Sequence, residues 1–255
     1  EYKGIKLVSG RSAHPHWEKN ANTLNGLTSH DEEHTSFMKL LEVVGNKENP
    51  VMIELGSNWC FWSLCFRQRF PEGSNYIIEL GKRQLDVGLT NFKLNEYSVD
   101  SEWGGLFLND SNEVEAEKAL LERGIGNFTF DEERLLCTDD KRPLYADEDI
   151  HFNKDLEGEM VGPELDFVEV YNDKKLEKVD ILHMDIQGSE YPLLKQLKSS
   201  QILDNIMSIV VATHSPYIHT EVKTILEENN FTIVEEAAYG SVGGDGMFLA
   251  TKEEI

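Results

Sequence analysis

The apolar positions of this chain fall into short blocks that alternate between two periods. "HDEEHTSFMKLLEVVG" (30–45) carries Phe37, Leu40, Leu41 and Val44 at helical spacing, and Gly45 followed by Pro50 predicts where that helix ends. "VMIE" (51–54) is then an unbroken apolar run closing on an acid, which predicts a strand buried on both faces. "LGSN" turns the chain, and "WCFWSLCFRQRF" (59–70) predicts a buried helix. "YIIE" (76–79) repeats the strand pattern, and Leu85, Leu89 and Phe92 give the next helix its inner stripe. The same alternation returns in the last third of the chain. "VDILHMDI" (179–186) and "IMSIVVA" (206–212) predict strands, with helices over "EYPLLKQLKSS", capped by Ser189, and over 220–230, where Val222, Ile225 and Leu226 face inward. "FTIVEE" (231–236) and "GMFLAT" (246–251), joined by "YGSVGGDG", predict a closing antiparallel pair.

Strands alternating with helices imply an α/β domain built on a mostly parallel sheet. The middle of the chain breaks the pattern. Residues 112–124 predict one helix, 165–171 fits either a strand or a connection, and the acidic, apolar-poor stretch 139–159 predicts an exposed loop or lid. The expected organisation is therefore an N-terminal helical or irregular extension over 1–48, then a single domain over 49–255 with an acidic insertion at about 100–175.

Composition narrows the partners. The 255 residues include 47 acidic and 24 basic side chains, a formal net charge of −23. Nucleic-acid binding draws on Lys and Arg meeting phosphates, so a nucleic-acid substrate is disfavoured. No apolar run reaches the roughly 18 residues of a membrane helix. The three cysteines, Cys60, Cys65 and Cys137, form neither a disulfide framework nor a zinc pattern, and a reducing, cytoplasmic setting is expected. The chain opens on Glu1 rather than Met, which fits a processed chain or a domain of a larger multidomain protein. "HDEEH" (30–34) differs from a zinc-protease helix motif, which needs Glu directly after the first His where Asp31 stands.

Four predicted strands finish in polar residues: Glu54, Glu79, Asp185 and His214. In an open α/β sheet the carboxyl ends of the strands form the ligand crevice, so convergence there is a candidate site. Gly56 in a turn, with Glu79 23 residues after it at the end of the second strand, has the layout of a nucleotide-binding βαβ unit. "ELGSNWC" has a single Gly rather than a Gly-rich phosphate loop. That favours S-adenosylmethionine, which has a ribose and no phosphate, over a dinucleotide; its sulfonium also suits an acidic neighbourhood.

"IELGSNWCFWSL", "YIIELGKRQLDVGLTNFKLN" and "VDILHMDIQGSEYPLL" resemble the FkbM-type methyltransferases, class I enzymes that use S-adenosylmethionine. The matching positions are Glu54, Gly56, Ser57 and Asn58; Glu79, Asn91 and Asn95; Asp185, Gly188 and Glu190; and His214. The resemblance spans 50–95 and 176–250 and leaves 96–175 poorly matched. It implies a Rossmann-like class I methyltransferase fold: a mostly parallel seven-stranded sheet with an antiparallel C-terminal strand and helices on both faces. It departs at Cys60, where the family has a second Gly, placing a side chain near the methionine end of the cofactor. It departs again at Gln187, where Glu is commoner, removing a charge beside Asp185.

On this reading Glu79 holds the ribose hydroxyls, and Glu54, Gly56, Ser57 and Asn58 complete the cofactor site. Asp185 orients the acceptor or acts as base, His214 is the favoured general base and His219 a reserve. Asp185, His214 and Glu190 could alternatively hold Mg²⁺ or Mn²⁺. Trp103 and Tyr145 are candidates for stacking on a sugar ring. The expected activity is O-methylation of a sugar, glycan or other small hydroxylated acceptor. The alternatives are a polyketide-like or carboxylate acceptor, or a non-catalytic binding module.

Overall fold

The computed structural model describes residues 4–7, 27–106, 128–131, 134–137, 163, 165–242 and 245–253. The first helix, α1 (Leu27–Val44), leads into β1 (Val51–Leu55), α2 (Phe61–Arg69), β2 (Ser74–Glu79), α3 (Lys82–Leu94) and β3 (Asp100–Trp103). A hairpin of β4 (Phe128–Asp131) and β5 (Arg134–Cys137) and the helix α4 (Phe167–Asp173) precede β6 (Val179–Met184) and α5 (Glu190–Ser199). Then come β7 (Ile206–Thr213), α6 (Pro216–Glu228), β8 (Thr232–Val242) and β9 (Asp245–Thr251).

Seven strands form one sheet in the order β3-β2-β1-β6-β7-β9-β8. All neighbouring pairs are parallel except those of β9, which is antiparallel to both β7 and β8. This is the sheet the sequence resemblance implies. The strand order reverses between β1 and β6, so the crevice of an open α/β sheet lies above these two strands.

Period-2 alternation along the strands builds a core on each face. Met52, Ile77, Ile181 and Val210 pack with Phe37, Leu40 and Leu41 of α1, Leu64 and Phe66 of α2 and Phe92 of α3. Ile53, Leu55, Ile78, Leu182 and Val211 pack on the other side with Phe167 of α4, Leu193 and Leu194 of α5 and Val222 of α6. Helices thus cover both faces, and the inner strands β1, β2, β6 and β7 have few polar positions because neither of their faces meets water.

Three local readings change. Within 165–171, residues from Phe167 onward form a helix: Asp166 caps it by accepting from the N–H groups of Val168 and Glu169, which outweighs the strand-like "FVEVY". The helix expected from 220 begins at Pro216, because Ser215 caps Ile218 N–H and proline is tolerated in a first turn. Ser189 stands at the N-cap of α5 without a side-chain capping bond; Glu190 takes the loop N–H groups instead. The helix expected at 112–124, the acidic stretch 139–159 and Tyr145 lie outside the described residues.

Candidate active site

The loop after β1 is held against two strand ends. Gly56 and Ser57 both donate their N–H to the carbonyl of Ile78 in β2, at 3.0 and 3.2 Å. Gly56 has φ +73°, and a Cβ there would fall 1.8 Å from the carbonyl oxygen of Asp185. Only glycine permits β1 and β6 to leave the sheet this close together. Asn58, at φ +45°, donates its N–H to Glu79 Oε2 at 2.6 Å, and Gly81 donates to Glu79 Oε1 at 2.8 Å. Glu79 therefore organises the loop that it faces.

Glu54 comes one residue before the end of β1 and is almost fully buried, 1 % exposed. Burial pushes its carboxyl pKa up to about 8, with partial relief from Ser63, whose N–H donates to Oε2 at 3.2 Å in the first turn of α2. Its register partner in β6 is His183, another buried group, whose pKa burial lowers to about 4.

The second cluster lies beyond β6 and β7. Asp185 follows β6, and its side chain is 44 % exposed. His214 follows β7 and is buried, and Glu190, opening α5, is wholly buried. His214 Nε2 lies 3.2 Å from Asp185 Oδ1, and Nδ1 lies 2.8 Å from Glu190 Oε1. These contacts have ion-pair rather than hydrogen-bond alignment. Burial pulls the His214 pKa down, but Glu190 and Asp185 together outweigh it and hold the ring well above the usual histidine range. Burial raises the Asp185 carboxyl, while His214, the more distant His183 and the Gln187 amide bring it net below its ordinary value. The array thus runs from an open carboxylate through an enclosed imidazolium to an enclosed carboxylate.

The sequence matches the methyltransferase FkbM domain over residues 45–233. The chain belongs to the FkbM methyltransferase family. This FkbM domain has the fold of S-adenosylmethionine-dependent methyltransferases. It is similar to the methyltransferase sdnD of Sordaria araneosa, 22% identical over 231 residues, covering 84% of this chain and 85% of that one. Among solved structures it is similar to the fibrillarin pre-rRNA processing protein of Methanococcus jannaschii (TM-score 0.44, 17% identity, 82% of this chain and 69% of that one). It is also similar to M. capricolum TrmK in complex with S-adenosyl-homocysteine (TM-score 0.41, 11% identity, 84% and 67%).

Glu79 accepts the backbone bonds from Asn58 and Gly81 at the carboxyl end of β2, beside the loop after β1. Asn91 and Asn95, the spaced asparagines of the family pattern, have structural contacts. Asn91 donates to the Trp59 carbonyl at 3.0 Å, and Asn95 exchanges hydrogen bonds with the backbone of Lys6.

Both departures from the pattern are absorbed locally. Cys60 takes the left-handed backbone of the glycine it replaces, φ +64°, and its thiol is buried against Gly88 of α3 and donates to Ser57 Oγ at 3.6 Å. Burial, with the nearby charge of Glu54, pushes that thiol pKa well up, so it is inert. Gln187, at φ +51°, donates its amide to Asp185 Oδ1 at 2.9 Å.

Two candidates sit away from the array. His219 accepts or donates at Thr213 Oγ1 (2.8 Å), stacks on Phe248 at 4.3 Å and has a pKa lowered by burial, so it locks α6 to the sheet. Trp103 ends β3 beside Glu79 in register and donates its indole N–H to the Leu80 carbonyl at 3.0 Å. It flanks the Glu79 side of the crevice.

For a metal ion, Asp185, Glu190 and His214 offer ligand atoms within 4.8 Å of one another. The donor set suits a divalent ion poorly. Both oxygens of Glu190 accept loop N–H groups, from Ile186 and Gly188 at 3.0 Å each, and one of them also faces His214. An ion would have to displace the imidazolium proton and one of these contacts.

Proposed function

We propose that this protein is an O-methyltransferase acting on a hydroxyl of a sugar, a glycan or a similar small polyhydroxylated acceptor. The observation that carries the reading is the Asp185–His214–Glu190 array, in which Asp185 alone is open at the carboxyl edge of the sheet. Bound S-adenosylmethionine supplies a methyl group on a sulfonium whose sulfur leaves as the new bond forms. Glu79 would hold the ribose, with the Glu54–Gly56–Ser57–Asn58 segment framing the rest of the cofactor site.

Asp185 accepts the hydrogen bond of the acceptor hydroxyl, aligns its oxygen and takes its proton as that oxygen is alkylated. His214 acts behind it. As an imidazolium enclosed by two carboxylates it has no free base position, so its role is to fix Asp185 and keep it ionised until the proton arrives. Glu190 in turn keeps His214 charged and anchors the 186–188 loop. No metal ion takes part in this reading, for the reasons of donor occupancy given above.

A carboxylate acceptor is disfavoured, because it would approach Asp185 at like-charge cost. A binding-only module loses its support, because Cys60 and Gln187 are accommodated without disturbing the site. The −23 charge speaks against nucleic acid, and the sparse cysteines, with no disulfide framework in their spacing, fit a reducing, cytoplasmic setting. Among the described residues no helix is long and apolar enough to cross a membrane. Residues 1–48 are read as an extension of the domain at 49–255.

The test is transfer of radiolabelled methyl from S-adenosylmethionine across glycans, hydroxylated small molecules and carboxylates. Label on a hydroxyl, lost about a hundredfold in Asp185→Asn with cofactor affinity kept, supports the reading. Label only on carboxylates, or full transfer by Asp185→Asn, overturns it.

A further inference from the structure

The Asp185 carboxylate is held by one of its two oxygens. His214 Nε2 lies 3.2 Å from Oδ1, and the Gln187 side-chain amide donates to the same Oδ1 at 2.9 Å. Among the described residues no such contact falls on Oδ2. The two groups that meet Oδ1 trace back to one residue. Glu190 Oε1 lies 2.8 Å from His214 Nδ1. Glu190 also accepts the N–H groups of Ile186 and Gly188 at 3.0 Å each, the residues on either side of Gln187. That grip holds the turn in which Gln187 takes a left-handed backbone, φ +51°. Glu190 is wholly buried and opens α5, so the ring of Glu190, His214, Asp185 and Gln187 closes on a fixed point.

We infer that Gln187 is a positioning residue: by holding Oδ1 it keeps Oδ2 as the one oxygen that meets the acceptor, and so sets which hydroxyl of a polyhydroxylated acceptor is methylated. The inference rests on the O-methyltransferase reading and adds positional selectivity to it. A carboxylate turns about its Cβ–Cγ bond in a broad, two-fold well, and a half turn exchanges its oxygens. One contact leaves the plane of the group free to tilt. Two contacts on Oδ1, from His214 after β7 and from Gln187 in the turn after β6, fix the plane and the oxygen that faces outward. Neighbouring hydroxyls of a sugar ring reach the methyl group from different directions, and in-line transfer is sensitive to a misplacement of about 1 Å. A fixed Oδ2 therefore serves one of them. The proton of that hydroxyl passes to Oδ2 as its oxygen bonds the methyl carbon, and the sulfonium sulfur leaves with the bonding pair. Gln187 gains and loses no proton in this step. The amide is what suits the position. An ionised Glu at 187 would have no hydrogen to donate and would face Asp185 as a like charge, and Ala would leave Oδ1 to His214 alone.

The experiment offers a set of methyl pyranosides to wild type, Gln187→Ala and Gln187→Glu. It reads kcat and KM, assigns the methylated position by NMR, and follows S-adenosylmethionine affinity by calorimetry and folding by urea unfolding. Wild type should methylate one position. Both variants should lose about tenfold to a hundredfold in kcat, the range for a lost hydrogen bond to a charged group, with KM and cofactor affinity unchanged. Both should also release product methylated at a second position, which a loss of stability alone would not produce. Gln187→Glu keeps the size of the side chain, so it separates loss of the donor from loss of packing. Unchanged kcat or single-position product from Gln187→Glu overturns this inference and leaves the O-methyltransferase reading standing, as does a wild type that methylates several positions equally. Cofactor binding without transfer to any hydroxylated member overturns both together.

Discussion

Gly56 and Asp185, 129 positions apart in the sequence, meet so closely that a Cβ on the first would overlap the carbonyl of the second, at 1.8 Å. This contact joins the loop after β1 to the end of β6, where the exposed Asp185 stands. It also explains the glycine better than any ligand contact does, because the clash is with backbone that cannot step aside.

Gly56→Ala should therefore be severe. It combines a left-handed backbone with a backbone clash, and a loss of roughly 3 kcal/mol or more in urea unfolding is expected. An unchanged unfolding midpoint would show that the strand ends can separate freely.

Cys60 and Gly88 form a second matched pair. A Cβ at Gly88 would fall 2.3 Å from the Cys60 thiol, so Gly88→Ala should destabilise the wild type. In a Cys60→Gly background the obstructing sulfur is gone, and the same substitution should be nearly harmless. The coupling in that double-mutant cycle should be about 1–3 kcal/mol by urea unfolding, and additive effects would refute the packing described.

Much of this arrangement can be read from the chain itself. The apolar runs "VMIE" and "YIIE" announce strands buried on both faces and close on Glu54 and Glu79, and Asp185 follows "VDILHM". What could not be read depends on direction and distance. β3, "DSEW", is a short edge strand without an apolar run. The turn of Cys60 toward Gly88 follows from a backbone angle that sequence does not display. Asp245 sits in a Gly-rich stretch that reads as plain turn, and its Oδ2 comes 3.9 Å from His214 Nε2 because β9 inserts antiparallel beside β7. The enclosure of His214 between two carboxylates, on which the proposal of Asp185 as base draws, is likewise a matter of distance that the sequence does not display.

Enclosure also gives His214 a signature in pH. Its folded pKa is raised above 6.5, so its contribution to stability is fully present below 6.5 and fades as pH rises through the raised value. Asp185 is lowered from 3.8, so its contribution is present above 3.8 and is lost as pH falls through the lowered value. The stability gap between wild type and His214→Asn should be widest between these two ordinary values, roughly 3–5 kcal/mol for a broken buried pair, and should narrow at alkaline pH. A gap that stays constant with pH would mean that His214 is neutral in the fold.

The occupied state of Glu190 bears on metals. Dialysis against EDTA should leave methyl transfer unchanged. Loss of transfer that Mg²⁺ or Mn²⁺ restores would assign an ion to Asp185 and His214 and remove the proton-holding role given to the imidazolium.

The central claim is that Glu79 both ties down the cofactor loop and holds S-adenosylmethionine, and calorimetric titration of the cofactor into wild type and Glu79→Gln tests it most directly. Glutamine keeps the size and one acceptor oxygen but loses the charge-assisted bonds. The account predicts tight binding to the wild type and affinity weakened by about tenfold to a hundredfold in the variant. Equal affinity in the two proteins would contradict it.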